Sequence, residues 1–126
     1  MISLVANGTS LTDALRTLVP LRIQAVEFNN GTLVLIGERW SLAVVGEWMW
    51  IREGVLETDW SQAGAEDTVW NLCGVHLLGA EFSDPVFAGD CSFRLSDGTL
   101  EIRSDRTGWE TWTFRHEVLG IIYVGC

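Results

Sequence analysis

The chain has 126 residues, with 17 acids, 8 bases, a net charge of −9 and 48% apolar residues. That length suits one core rather than two, and the composition excludes a disordered tail. No apolar run reaches the roughly 20 residues that a membrane helix needs, and Met1-Ile-Ser-Leu-Val-Ala-Asn-Gly8 lacks the basic start and apolar length of a signal peptide. A soluble cytoplasmic protein is expected.

In chain order, Ser10-Leu-Thr-Asp13 reads as a capping box. Leu11, Leu15 and Leu18 follow at helical spacing, and Pro20 stops the helix. The strand-like runs Ala25–Phe28 and Thr32–Ile36 flank Asn30-Gly31, a dipeptide that tolerates the two positive φ angles of a type I′ turn. Trp40–Val45 and Glu47–Ile51 supply two more strands. After a polar stretch, Ala65–Leu72 reads as a short helix with Glu66 and Asp67 in its first turn, where the dipole favours acids; Gly74 ends it. Val75–Phe82 is the next strand, and Cys91–Leu95 and Thr99–Arg103 flank a second turn dipeptide, Asp97-Gly98. Trp109–Arg115 and Leu119–Val124 are the last two strands. The predicted fold is α+β in one domain over residues 1–126, mostly antiparallel sheet of about 7–9 short strands with two short helices.

The two helices begin similar segments. At an offset of 54, Leu18 meets Leu72, Leu21 meets Val75, Ile23 meets Leu77, and Glu27-Phe28 meets Glu81-Phe82. At an offset of 67, Asn30-Gly-Thr-Leu33 meets Asp97-Gly-Thr-Leu100. A duplicated helix–strand–hairpin unit is therefore expected, with pseudo-repeats at about 10–52 and 65–124 and one insertion around Asp84 to Ser96. Such a duplication would set each helix beside its own hairpin, with Leu15 and Leu18 packing like Val69 and Leu72.

Charge is unevenly distributed. All eight bases are Arg, and none lies between Arg52 and Arg94. That interval holds Glu53, Glu57, Asp59, Glu66, Asp67, Glu81, Asp84 and Asp90. A field of this sign repels nucleic acid and anionic membranes and steers a basic partner inward. The chain also carries seven Trp. Most are expected in the core, with one or two half-exposed as binding anchors, where Trp is enriched. Trp60, inside the acidic interval with few apolar neighbours, is the first choice, and the face shared by Trp48 and Trp50 is the second. The candidate partner-binding residues are thus Glu53, Glu57, Asp59, Trp60, Glu66, Asp67, Asp84 and Asp90. Glu110 shares a strand face with Trp112 and Phe114 and is expected to be structural, held by Arg103 or Arg106.

Signals for chemistry are weak. Cys73, Cys91 and Cys126 are an odd set, which suits free thiols rather than a disulfide framework. Cys73-Gly-Val-His76 has the spacing of half a zinc site but no closely spaced second pair. Cys91 and His116 would make a thiol–imidazole pair if hairpin strands brought them together. There is no Gly-rich phosphate loop, His-Glu-x-x-His or Gly-x-Ser-x-Gly motif. No enzyme activity, metal or cofactor is expected.

The run Leu77-Leu-Gly-Ala80, Ser92-Phe-Arg-Leu-Ser-Asp-Gly-Thr-Leu-Glu-Ile102 and Trp109-Glu-Thr-Trp-Thr-Phe-Arg115 resembles a family of small bacterial proteins of unknown function, with a weaker first half over Ala25–Leu42. Similar proteins occur beside polymorphic toxins, in the position of immunity proteins. The resemblance implies a cytoplasmic immunity protein, monomeric or homodimeric, that neutralises a cognate toxin domain by binding and does no chemistry. Many such toxins have basic clefts, which an acidic, aromatic-bearing surface would fit. The alternative is a small-ligand-binding or structural β-rich domain that self-associates.

Overall fold

The computed structural model describes residues 2–5, 8–82, 90–103, 111–117 and 121–125. Its elements are β1 (Ile2–Val5), α1 (Gly8–Leu18), β2 (Leu21–Arg22), β3 (Ala25–Asn29), β4 (Thr32–Gly37), β5 (Trp40–Val44), β6 (Glu47–Arg52) and β7 (Val55–Asp59). Then come α2 (Ala65–Val69), running on into a 3-10 turn (Trp70–Leu72), β8 (His76–Phe82), β9 (Cys91–Leu95), β10 (Thr99–Arg103), β11 (Trp112–His116) and β12 (Ile121–Gly125). The class is α+β and mostly strand. Sheet I has the order β1-β12-β11-β5-β4-β3 and sheet II the order β2-β8-β9-β10-β6-β7. Every pairing is antiparallel except β1 with β12.

Alternation places one face of each sheet inward. In sheet I, Val26, Leu35, Leu42 and Phe114 form one buried row, and half-buried Phe28 with buried Leu33, Val44 and Trp112 the next. In sheet II the corresponding rows are Ala80, Phe93, Leu100 and Trp50, and Phe82, Cys91, Ile102 and Trp48. Aromatic pairs join the sheets: Phe28 meets Trp48 edge-on at 5.9 Å, Phe93 meets Trp112 edge-on at 5.3 Å, and Phe82 lies 6.2 Å from Trp112. The buried side chains form one cluster. The two indoles of β6 also find acceptors. Trp48 Nε1 donates to the Gly31 carbonyl, and Trp50 Nε1 to that of Asp97, both at 3.0 Å. Neighbouring tryptophans on one strand thereby tie down the two hairpin turns noted in the sequence. Their shared face is core, so it offers no partner surface.

The chain crosses to sheet II for β2, returns for β3, and crosses between sheets again after β5 and after β10. Strands β3–β5 lie in sheet I and continue into β6–β7 of sheet II; β8–β10 lie in sheet II and continue into β11–β12 of sheet I. The helices cross over as well. Helix α1 packs on β8, and α2 on β7 and β3. Each helix therefore covers strands of the other half, not its own hairpin as expected, because its half's apolar strand faces are completed by strands from the partner half. Asn30-Gly31 joins β3 to β4 and Asp97-Gly98 joins β9 to β10; by position in their sheets the second turn lies where the β4–β5 turn lies in sheet I. Eight residues separate β8 from β9, where two separate β3 from β4.

Local details differ from expectation for stated reasons. Helix α1 begins at Gly8, so Ser10 sits inside the helix rather than capping it. Asn30 and Gly31 do take φ of 50° and 84°. At the second turn only Gly98 is left-handed, at 93°, while Ser96 and Asp97 form the corner. Beyond the nine expected strands, β1, β2 and β7 were not anticipated: β2 has two residues, and β7 is an exposed edge with little alternation. Glu110, Arg106 and Trp109 lie outside the described residues.

Candidate partner-binding surface

Strand β6 ends at Arg52 and turns through Glu53-Gly54, with φ of 51° and 77°, so that Arg52 pairs with Val55. This is the two-residue turn whose handedness suits twisted strands. Strand β7 then forms the last strand of sheet II, with a bulge opposite Trp50 and Ile51. Thr58 is its one buried residue. Beyond it, the Trp60 N–H donates to the Trp48 carbonyl at 3.1 Å, which fixes the backbone while the indole stays 43% exposed. Asp59 Oδ1 accepts from Ser61 N at 2.9 Å and Ser61 Oγ at 2.8 Å, an Asx turn that leads the chain into α2. Because α2 contacts both β7 and β3, it closes the space between the two edge strands at this side.

Large apolar side chains collect here. Among the described residues the exposed ones are Val45, Val55 (63%), Leu56 (43%), Trp60 (43%) and Trp70 (53%). All but Val45 fall on β7, the turn after it, or the 3-10 turn that continues α2. Glu53, Glu66 and Asp67 are exposed on the same segment.

The expected acids do not all join it. Glu53, Glu66 and Asp67 are solvated, but Glu57 is half-buried, 3.6 Å from Arg52 Nη1, and Asp59 is half-buried within its turn. Those two carboxylates shape the surface and are not free rim charges, because each already has an internal partner. Asp90 is removed from the surface altogether. It opens β9, three strand spacings or roughly 14 Å across sheet II from β7. Asp84 lies outside the described residues. Sequence reasoning missed Val55, Leu56 and Trp70. The Glu53-Gly54 dipeptide was a usable hairpin signal, and it was obscured by the acids around it.

The proposed thiol–imidazole pair does not form. Cys91 lies on β9 of sheet II and His116 on β11 of sheet I. Burial pushes the Cys91 thiol well up, and the charges of Asp90 and Glu101 push the same way, so the nucleophilic thiolate is disfavoured. Cys73 is exposed. No group of three or more His, Cys, Asp or Glu is placed to hold a metal among the described residues. No family model, curated protein or solved structure matches the chain. No helix of the described residues is long and apolar enough to cross a membrane.

Proposed function

We propose that this protein is a cytoplasmic immunity protein that binds a basic toxin domain through the β7–α2 surface and performs no chemistry of its own. The observation that carries the reading is the concentration of exposed Val55, Leu56, Trp60 and Trp70 in an interval without a single base. Apolar anchors beside exposed Glu53, Glu66 and Asp67 have the composition of a partner interface, where desolvated aromatics supply affinity and rim charges supply rate and choice of partner. A second copy of the same chain is a poor occupant, since Glu53, Glu66 and Asp67 would face their own kind. The resemblance to proteins encoded beside polymorphic toxins supports the same partner.

The test is capture with the proteins encoded next to it. The tagged chain, co-expressed with its native neighbours, should retain a basic toxin domain, and the double variant Trp60→Ala, Trp70→Ala should release it. Retention of no neighbour, or equal retention by the double variant, overturns the proposal.

A further inference from the structure

The matched register of the two sheets makes one difference between them informative. In sheet II, Leu100 pairs with Trp50 and Thr99 with Ile51, which sets Asp97 and Gly98 beside Arg52. In sheet I, Leu42 pairs with Phe114, Ser41 with Arg115 and Trp40 with His116. His116 therefore stands where Arg52 stands in the other sheet, and Arg39 where Asp97 stands. The sheet II end neutralises itself: Arg52 Nε donates to Asp97 Oδ1 at 2.9 Å, with Glu57 3.6 Å from Nη1. The sheet I end has a guanidinium in place of that acid. Neither Arg39 nor Arg115 makes an ion pair among the described residues.

A cavity of about 290 Å³ opens at this end, lined by Gly37, Arg39, Trp40, Arg115, His116 and Glu117 among others. His116 is only 8% exposed, and its Nδ1 is buried with no hydrogen-bond partner among the described residues. Buried polar groups normally have partners, so an unpaired imidazole nitrogen in a residue that lines the cavity sets this end apart. Trp40 is fixed as the other wall. Its Nε1 donates to the Arg22 carbonyl at 3.3 Å, and its indole occupies the space that a Cβ on Gly37 would need.

We propose that this cavity binds a small organic oxyanion, with the carboxylate or phosphate group held by Arg39 and Arg115, and His116 and the Trp40 ring as its walls. The guanidinium fork matches both head groups in geometry and charge. Two arginines against Glu117 leave the site positive in a chain of net charge −9, so an anion is drawn here and repelled over the acidic interval. The volume is that of a small-molecule site and excludes a folded partner.

The experiment is an NMR titration of the full chain at constant ionic strength, following the imidazole resonances of His116, with His76 as the internal reference. The probes are sodium benzoate and, separately, inorganic phosphate. A saturable shift confined to His116 is expected with at least one probe below about 10 mM. Saturation by benzoate alone identifies an organic carboxylate, and saturation by phosphate alone a phosphate group. The Arg39→Gln, Arg115→Gln variant should weaken binding at least about tenfold. Arg39→Lys, which keeps the charge and loses the fork, should fall between, and Arg94→Gln on sheet II should bind as wild type. Absence of a saturable shift with both probes, or equal affinity in the double variant, overturns the proposal.

Discussion

At the scale of single residues, two glycines with similar backbones separate conformational strain from crowding. Gly54 and Gly98 have φ of 77° and 93°, where an L-residue is strained. A Cβ on Gly54 would meet open space, whereas one on Gly98 would run into the Ile51 carbonyl and touch Arg52 Cγ at 3.0 Å. Gly54→Ala should therefore cost about 1 kcal/mol, and Gly98→Ala clearly more, with the Trp50-to-Asp97 hydrogen bond disturbed as well. Equal chemical-denaturation midpoints for the two variants would contradict this account. His116 gives a pH-dependent counterpart. Burial lowers its pKa, Arg39 lowers it further and Glu117 opposes the shift, so the folded protein prefers the neutral ring. As pH falls below the ordinary imidazole value of about 6.5, the unfolded chain takes up the proton first and stability declines until the folded ring also titrates. Between about pH 7 and 5, His116→Gln should show a flatter stability curve than wild type, whatever its plateau. Parallel curves would show that His116 does not contribute. Neither behaviour was legible in the sequence, since it depends on which strand end lies over which.

At the scale of elements, the period of two and the turn dipeptides disclosed most strands, because those signals are local. Sheet membership is not local. Nothing in Trp40–Val44 and Glu47–Arg52 states that the chain changes sheets between them, and this crossing gives each sheet a pairing between halves: β5 with β11 and β6 with β10. Strand β7 was overlooked for a related reason, since an exposed edge lacks the alternation that a buried face imposes. The crossed arrangement predicts that neither residues 1–62 nor residues 63–126 fold alone as a monomer, because each would expose the apolar rows that the other completes. Mixing the two fragments should restore strand circular dichroism and a cooperative melt. A monomeric fragment that melts cooperatively by itself would mean the halves are less interdependent than their pairing indicates. In the intact chain, Leu15→Ala and Leu72→Ala remove fully buried side chains from α1 and the 3-10 turn, and each should cost about 2–5 kcal/mol.

Across the whole molecule, charge and apolar exposure are distributed differently, and that difference sets the expected binding kinetics. The acids extend along the whole interval from Glu53 to Asp90, but among the described residues of that interval the exposed large apolar side chains stop at Trp70. The sequence located the acids and Trp60; it did not show that Glu57 and Asp59 are engaged internally, or that Trp70 is exposed on the 3-10 turn after α2. Rim charges act mainly on the association rate, and a desolvated aromatic acts mainly on dissociation. Neutralising Glu53, Glu66 and Asp67 to amides should therefore slow association with the toxin domain and flatten its salt dependence, with dissociation almost unchanged. Fold stability should stay within about 0.5 kcal/mol, since all three are exposed surface positions. Trp70→Ala should do the reverse, raising the dissociation rate roughly thirtyfold for a loss of about 2 kcal/mol, at an unaltered salt slope. Glu57→Gln belongs to neither group. Its partner Arg52 also holds Asp97 and lies 5.6 Å from the centre of the Trp50 ring, so its effect should appear in stability before binding. Stopped-flow association at two ionic strengths, with dissociation measured by competition, separates the three classes. Kinetics in which Trp70→Ala and the triple amide variant both match wild type would place the interface away from β7 and α2.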